Sequence, residues 1–139
     1  MIAIPAFVTA LIATATDFVG LTETKENAAW DDQTTAASEA EKSALLRHHM
    51  ELFGWEAGEP YCAAFAGAMV EITAARLNLP TRKFLGLWTP HCMTNARAFD
   101  HRGLLDSQPS EGSLMIMRHG TTDMGHAAIV AHGPIPGIA

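Results

Sequence analysis

The sequence predicts an α+β fold: N-terminal helices packed on a small antiparallel β-sheet. Three observations carry this. Apolar residues recur at helical spacing through the first two thirds of the chain. Two short apolar runs of strand length come near the end. Turn residues at Gly103 and Asp106-Ser107-Gln108-Pro109 separate the two regions. Helices first and strands last is the order of an α+β domain.

The first helix is expected to open at Pro5, which suits a first-turn position, and to end near Gly20. Val8, Leu11, Ile12, Ala15, Phe18 and Val19 fall on one face. Residues 1–16 are uncharged, but the basic start of a signal peptide is missing, the first basic residue being Lys25. The stretch therefore reads as a core helix, and it is too short to span a membrane. Residues 21–35 read as a polar loop. A second helix is expected over 38–53, with Ser38 and Glu41 as a capping box and Gly54 as its stop. Its apolar face is Leu45, Leu46, His49, Leu52 and Phe53.

A third helix is expected over 61–77, ended by Asn78 and Pro80. Cys62, Phe65, Ala66, Met69, Val70, Thr73 and Leu77 form its stripe, and small residues crowd its early turns. Residues 84–90 are irregular, and a short fourth helix opens at Thr89 or Pro90 and runs through Phe99. Strands follow over 113–117 and 126–131, joined by a loop over 119–125. His126, Ala128 and Val130 share one strand face. Gly133, Pro134, Pro136 and Gly137 break what comes after.

Residues 1–139 are of a size for one domain with its own core, and 48% of them are hydrophobic, which excludes a disordered chain. Nine basic residues against fifteen acidic give a net charge of −6. With no basic stripe, a nucleic-acid partner is not expected. The negative charge also removes simple attraction to an anionic membrane or wall polymer. Two cysteines are no disulfide framework, although parity permits a Cys62–Cys92 bridge. Neither belongs to a CxxC pair, so no metal is expected.

The chemistry centres on Pro60-Tyr61-Cys62-Ala63-Ala64-Phe65. This places a cysteine at the start of an apolar helix, after a turn rich in Gly and Pro. Unpaired N–H groups and the helix dipole favour negative charge there, which makes a better nucleophile of a thiol. The competing reading is a small buried hydrophobe, as most free cysteines are. Cys92 is the rival nucleophile, but its neighbour His91 points elsewhere on a helix. His91, Cys92 and His101 match no metal-site spacing. Of seven histidines, His126 stands apart: it opens a strand after Gly125, where its ring can face a helix packed on the sheet. The plainer alternative is a hydrogen-bonded core histidine.

Four segments together resemble the CHAP amidases and their NlpC-type relatives, papain-like cysteine peptidases that cut peptidoglycan. Val19-Gly20-Leu21-Thr22-Glu23, followed by Asn27, looks like the family's helix exit. Pro60-Tyr61-Cys62-Ala63-Ala64-Phe65 looks like its nucleophile motif. Pro109-Ser110-Glu111-Gly112-Ser113-Leu114 looks like its strand entry. Gly125-His126-Ala127-Ala128-Ile129-Val130 looks like its histidine strand. The resemblance implies that Cys62 is the nucleophile, His126 the general base and Tyr61 part of the substrate cleft. It implies a helix bearing the cysteine packed on the sheet bearing the histidine, and an oxyanion held by the Cys62 N–H. No cofactor is implied. The activity implied is cleavage of an amide in peptidoglycan or muropeptide, as an amidase or endopeptidase. The setting would be the bacterial cell wall, as for a phage endolysin, a tail-associated lysin or an antibacterial effector. The alternative is a catalytically idle domain of the same fold that binds wall fragments or a protein partner.

Two departures from the family pattern stand out. Ser113 replaces the usual Asp after Gly112. The third polar residue, expected on a strand after the histidine strand, is missing before Ala139. His132 is the nearest titratable group, about 20 Å along a straight strand from His126. The sheet is therefore expected to be incomplete at its C-terminal side, with an exposed strand edge that favours self-association.

Overall fold

A computed structural model describes residues 4–21, 37–80, 86–122 and 124–132. The expected loop beyond Leu21, with Thr22, Glu23 and Asn27, lies outside them, as do the breakers after His132. The described residues form four helices and a two-stranded antiparallel sheet, an α+β arrangement. These are α1 (Ile4–Asp17), α2 (Ala37–Leu52), α3 (Cys62–Arg76), α4 (Cys92–His101), β1 (Leu114–Arg118) and β2 (Gly125–Ile129). None of the described helices is long and apolar enough to cross a membrane.

Helix α3 is the centre of the fold. It packs against α1 and α2 on one side and β2 on the other. Its Ala, Gly and Thr residues permit this close approach from several directions. The single stripe expected for it is therefore corrected: Ala63, Ala64, Ala66, Gly67 and Ala68 are all buried, while Phe65 and Val70 are only partly so. Gly67 shows why small residues are needed. A Cβ there would lie 2.7 Å from Trp88 Cδ1 and 3.0 Å from the Phe53 ring.

Two apolar clusters share α3 as their common wall. One joins Leu11, Phe18, Leu46, Met50, Trp55, Met69 and Ile72. The other joins Phe53, Ala63, Ala66, Trp88, Cys92 and Ala127. An Arg76 guanidinium donates to Asp17 at 2.9 Å and ties the end of α3 to the end of α1. Both groups are half-exposed, so the pair adds at most about 1 kcal/mol.

The faces of α1 and α2 differ from those expected. Helix α1 ends at Asp17, so Val19 leaves the periodic face and is 80% exposed. Thr14 is buried instead, its hydroxyl donating to the Ala10 carbonyl at 2.9 Å. Helix α2 begins at Ala37, which puts Ser38 inside the first turn and not at the cap. Its buried line is Ser43, Leu46 and Met50, continued by Phe53 just past its end, leaving Leu45 and Leu52 exposed. Several apolar residues sit side by side in this helix, so two stripes fit the spacing. Contact with α3 selects the one that contains Met50.

His49 lies beside that line. Its Nδ1 is buried and has no hydrogen-bond partner. Burial, then the neighbouring His48, lowers its pKa, with Glu71 opposing. The folded state thus favours the neutral ring, while the unfolded chain takes a proton near pH 6.5. Stability contributed by the neutral ring is present above that pH and is lost as pH falls below it, down to the lowered folded value. His49→Gln, which cannot charge, is expected to lose less of its melting temperature than the parent on acidification from about pH 7.5 to 5. A melting-temperature gap between the two proteins that stays constant with pH would contradict this.

Strand β2 pairs with β1 so that Met117 faces His126 and Ile116 faces Ala127. Beyond the strands, Gly112 N–H donates to Val130 O at 2.8 Å and Val130 N–H to Ser113 O at 3.0 Å. Both strands sit one residue from their expected starts. Ser113 takes a local role in the turn before β1: its hydroxyl donates to Ser110 O at 2.5 Å. Among the described residues no strand pairs with the other edge of β2.

Candidate active site

Cys62 is the first residue of α3, and Tyr61 is its N-cap. The Tyr61 carbonyl accepts from Phe65 N–H at 2.7 Å, which fixes the first turn. No side chain caps this helix end through Tyr61. The first N–H groups of a helix have no carbonyl partner within it, so they are free to face a developing negative charge.

Cys92 occupies the same position in α4. His91 is the N-cap, and the helix starts later than the sequence suggested. The reason lies in the preceding turn. The fully buried Asn95 side chain accepts from Thr89 N–H at 2.7 Å and from Thr89 Oγ1 at 2.9 Å. It returns a bond from Nδ2 to Thr89 O at 2.8 Å. Thr89 Oγ1 also accepts from His91 N–H at 3.1 Å. This folded-back turn holds Thr89 to His91 out of the helix. Trp88 anchors the turn on α3, its Nε1–H donating to Ala63 O at 2.7 Å.

These anchors bring the two helix starts together. The Cys62 and Cys92 sulfurs are 3.5 Å apart in a hydrogen bond, and both thiols are free. Cys92 is buried and Cys62 half-buried. Burial, with the hydrogen bond to Cys62, pushes the Cys92 thiol up to about 12. Cys92 therefore keeps its proton at neutral pH, which disfavours it as the nucleophile.

Cys62 lines two open cavities. One, of about 340 Å³, is shared with Tyr61, Phe65, Phe18 and His126. The other, of about 300 Å³, is shared with Pro60, His91, Cys92 and Met124. The three residues expected at the site thus line one cavity together. His126 does not face α3 as expected. Ala127 is the buried residue of β2, and His126, next to it on the alternating strand, is exposed. Among the described residues no side chain hydrogen-bonds the His126 ring, and the sulfur of Cys62 bonds to Cys92.

Gly125 is what permits the start of β2 to lie against α4. A Cβ there would sit 2.7 Å from Met117 O and 3.2 Å from both Cys92 Cβ and Met93 Sδ. His132 belongs to the far end of the hairpin, its Nδ1 4.0 Å from Glu111 Oε1. The described residues contain no group of three or more His, Cys, Asp or Glu that would hold a metal. His101 is nine residues along α4 from Cys92, about 13 Å away.

The sequence gives His91 no role beside Cys62, and it offers Cys92 only as a rival nucleophile or a disulfide partner. His91 was set aside as a base for Cys92, yet it lines a cavity with Cys62. A signal was present in the repeated pattern Pro60-Tyr61-Cys62 and Pro90-His91-Cys92, a Pro, a ring and a cysteine opening each helix. No family model, curated protein or solved structure matches this chain.

Proposed function

We propose that this chain is a cysteine amidohydrolase of the papain-like CHAP/NlpC type, acting on an amide of peptidoglycan. The observation that carries the reading is the joint placement of Cys62, Tyr61 and His126 around one open cavity, with Cys62 opening a helix that packs on the histidine strand. The Cys62 thiolate attacks the carbonyl carbon, and the oxyanion is met by the Cys62 N–H at the helix start. His126 takes the thiol proton and gives it to the leaving amine. Water then resolves the acyl-enzyme. The two cavities that Cys62 lines would hold the two sides of the scissile bond.

The second reading, an idle domain that binds wall fragments or a protein partner, is favoured by the Cys62–Cys92 hydrogen bond and by the unsupported His126 ring. Alkylation separates the two. At about pH 6 an activated Cys62 is expected to react with iodoacetamide much faster than the same thiol in the urea-unfolded chain, and His126→Ala to remove that excess. Equal rates in the folded and unfolded chains would favour the idle domain.

Self-association through the edge of β2 that no described strand covers belongs to the same reading. The expected result is a sedimentation-derived mass that rises with concentration. A strictly monomeric chain at high concentration would contradict it.

A further inference from the structure

We propose that Cys62 and Cys92 form a reversible oxidation site that closes to a disulfide when a hydroperoxide enters the cavity beside them. The geometry is already close. The sulfurs lie 3.5 Å apart, and a disulfide of about 2.05 Å requires them to approach by about 1.5 Å. Neither helix start is loose, because Trp88 and the Thr89–Asn95 turn hold α4 against α3. The two sulfurs differ in access. Cys62 is half-buried and lines both open cavities, whereas Cys92 is buried and lines one.

The roles follow from that difference. The Cys62 sulfur attacks one oxygen of the hydroperoxide, and the O–O bond breaks. The leaving oxygen departs with the thiol's proton, as water from hydrogen peroxide, and Cys62 is left as a sulfenic acid. The Cys92 sulfur then attacks the Cys62 sulfur. An S–S bond forms, the S–O bond breaks, and the hydroxyl leaves with the Cys92 proton as a second water. Two thiols lose two electrons in all, and hydrogen peroxide is reduced to two waters. A dithiol reductant reverses the bridge by exchange. Cys92 keeps its proton in the resting state, so the more accessible sulfur of Cys62 reacts first.

For activity, the consequence rests on the proposed hydrolase: a bridged Cys62 has no thiolate to attack a carbonyl. The oxidation site itself stands apart from that reading. The experiment treats the reduced chain with hydrogen peroxide and follows intact mass, free thiols and muropeptide hydrolysis together. The expected result is loss of both thiols, a mass lower by two hydrogens, and a melting temperature raised by about 5–10 °C. Dithiothreitol should restore the starting state. Peptide mapping of the oxidised parent chain should give a linked Cys62–Cys92 peptide without recourse to any variant. Cys92→Ser should instead climb to the sulfinic acid at Cys62, which dithiothreitol does not reverse. Oxygen added to Cys62 in the parent as in Cys92→Ser, with no linked peptide, would overturn the proposal, even if the reduced chain hydrolyses muropeptides. A bridge that closes and reopens in a chain that hydrolyses nothing would support the oxidation site and remove the hydrolase.

Discussion

Cys62→Ser is expected to abolish muropeptide hydrolysis and to leave the melting temperature nearly unchanged. The fall in turnover should be on the order of 10⁴ or more, because an alcohol at this position has no thiolate to offer and the proposed base is poorly supported. The fold should survive because the side chain is half-buried and the change is close to isosteric. Serine is also well tolerated at helix starts. Circular dichroism and product chromatography on the same preparation would check both halves. Turnover by Cys62→Ser comparable to the parent would remove Cys62 from the chemistry.

His126→Ala is expected to lower kcat/KM by about 10²-fold, the lower end of the range for a general base. The reason for the lower end is structural. No described side chain hydrogen-bonds the ring, and in a serine triad loss of the orienting partner costs on the order of 10⁴ in rate. The base here would start from that weakened state. Stability should hardly change, because His126 is exposed and the buried residue of its strand is Ala127. Kinetics of His126→Ala and His91→Ala side by side would test the assignment. A loss confined to His91→Ala would move the base to the other cavity.

The parts of the fold that local chemistry dictates were legible in the sequence. Helix α3 lies within one residue of its expected bounds because the Gly and Pro turn before it and Asn78 and Pro80 after it leave little freedom. The hairpin was legible from two short apolar runs with a polar loop between them. Buried faces were less so. Leu45 and Leu46 both suit an apolar stripe, and only the contact with α3 decides that Leu46 is buried. Val19 continues the α1 pattern on paper, but the helix has ended before it.

The candidate site was legible in the three residues that line its cavity and not in their surroundings. Cys62, Tyr61 and His126 stand in motifs, and one cavity joins them. The meeting of Cys62 with Cys92 depends on an irregular turn, built by Thr89 and Asn95 and pinned by Trp88. No helical or strand periodicity encodes such a turn. Asn95 reads as an ordinary polar helix residue until its burial is known. The orientation of His126 was likewise hidden. Alternation shows that His126 and Ala127 face opposite ways, but not which of them faces α3.

The most direct test of the proposed chemistry is mass spectrometry of purified muropeptides incubated with the reduced chain, with Cys62→Ser as control. The expected result is a new pair of products whose summed mass exceeds the substrate by one water, with a new amine on one and a new carboxyl on the other, and neither formed by Cys62→Ser. Muropeptides left intact by a folded, reduced chain, or identical products from Cys62→Ser, would contradict it.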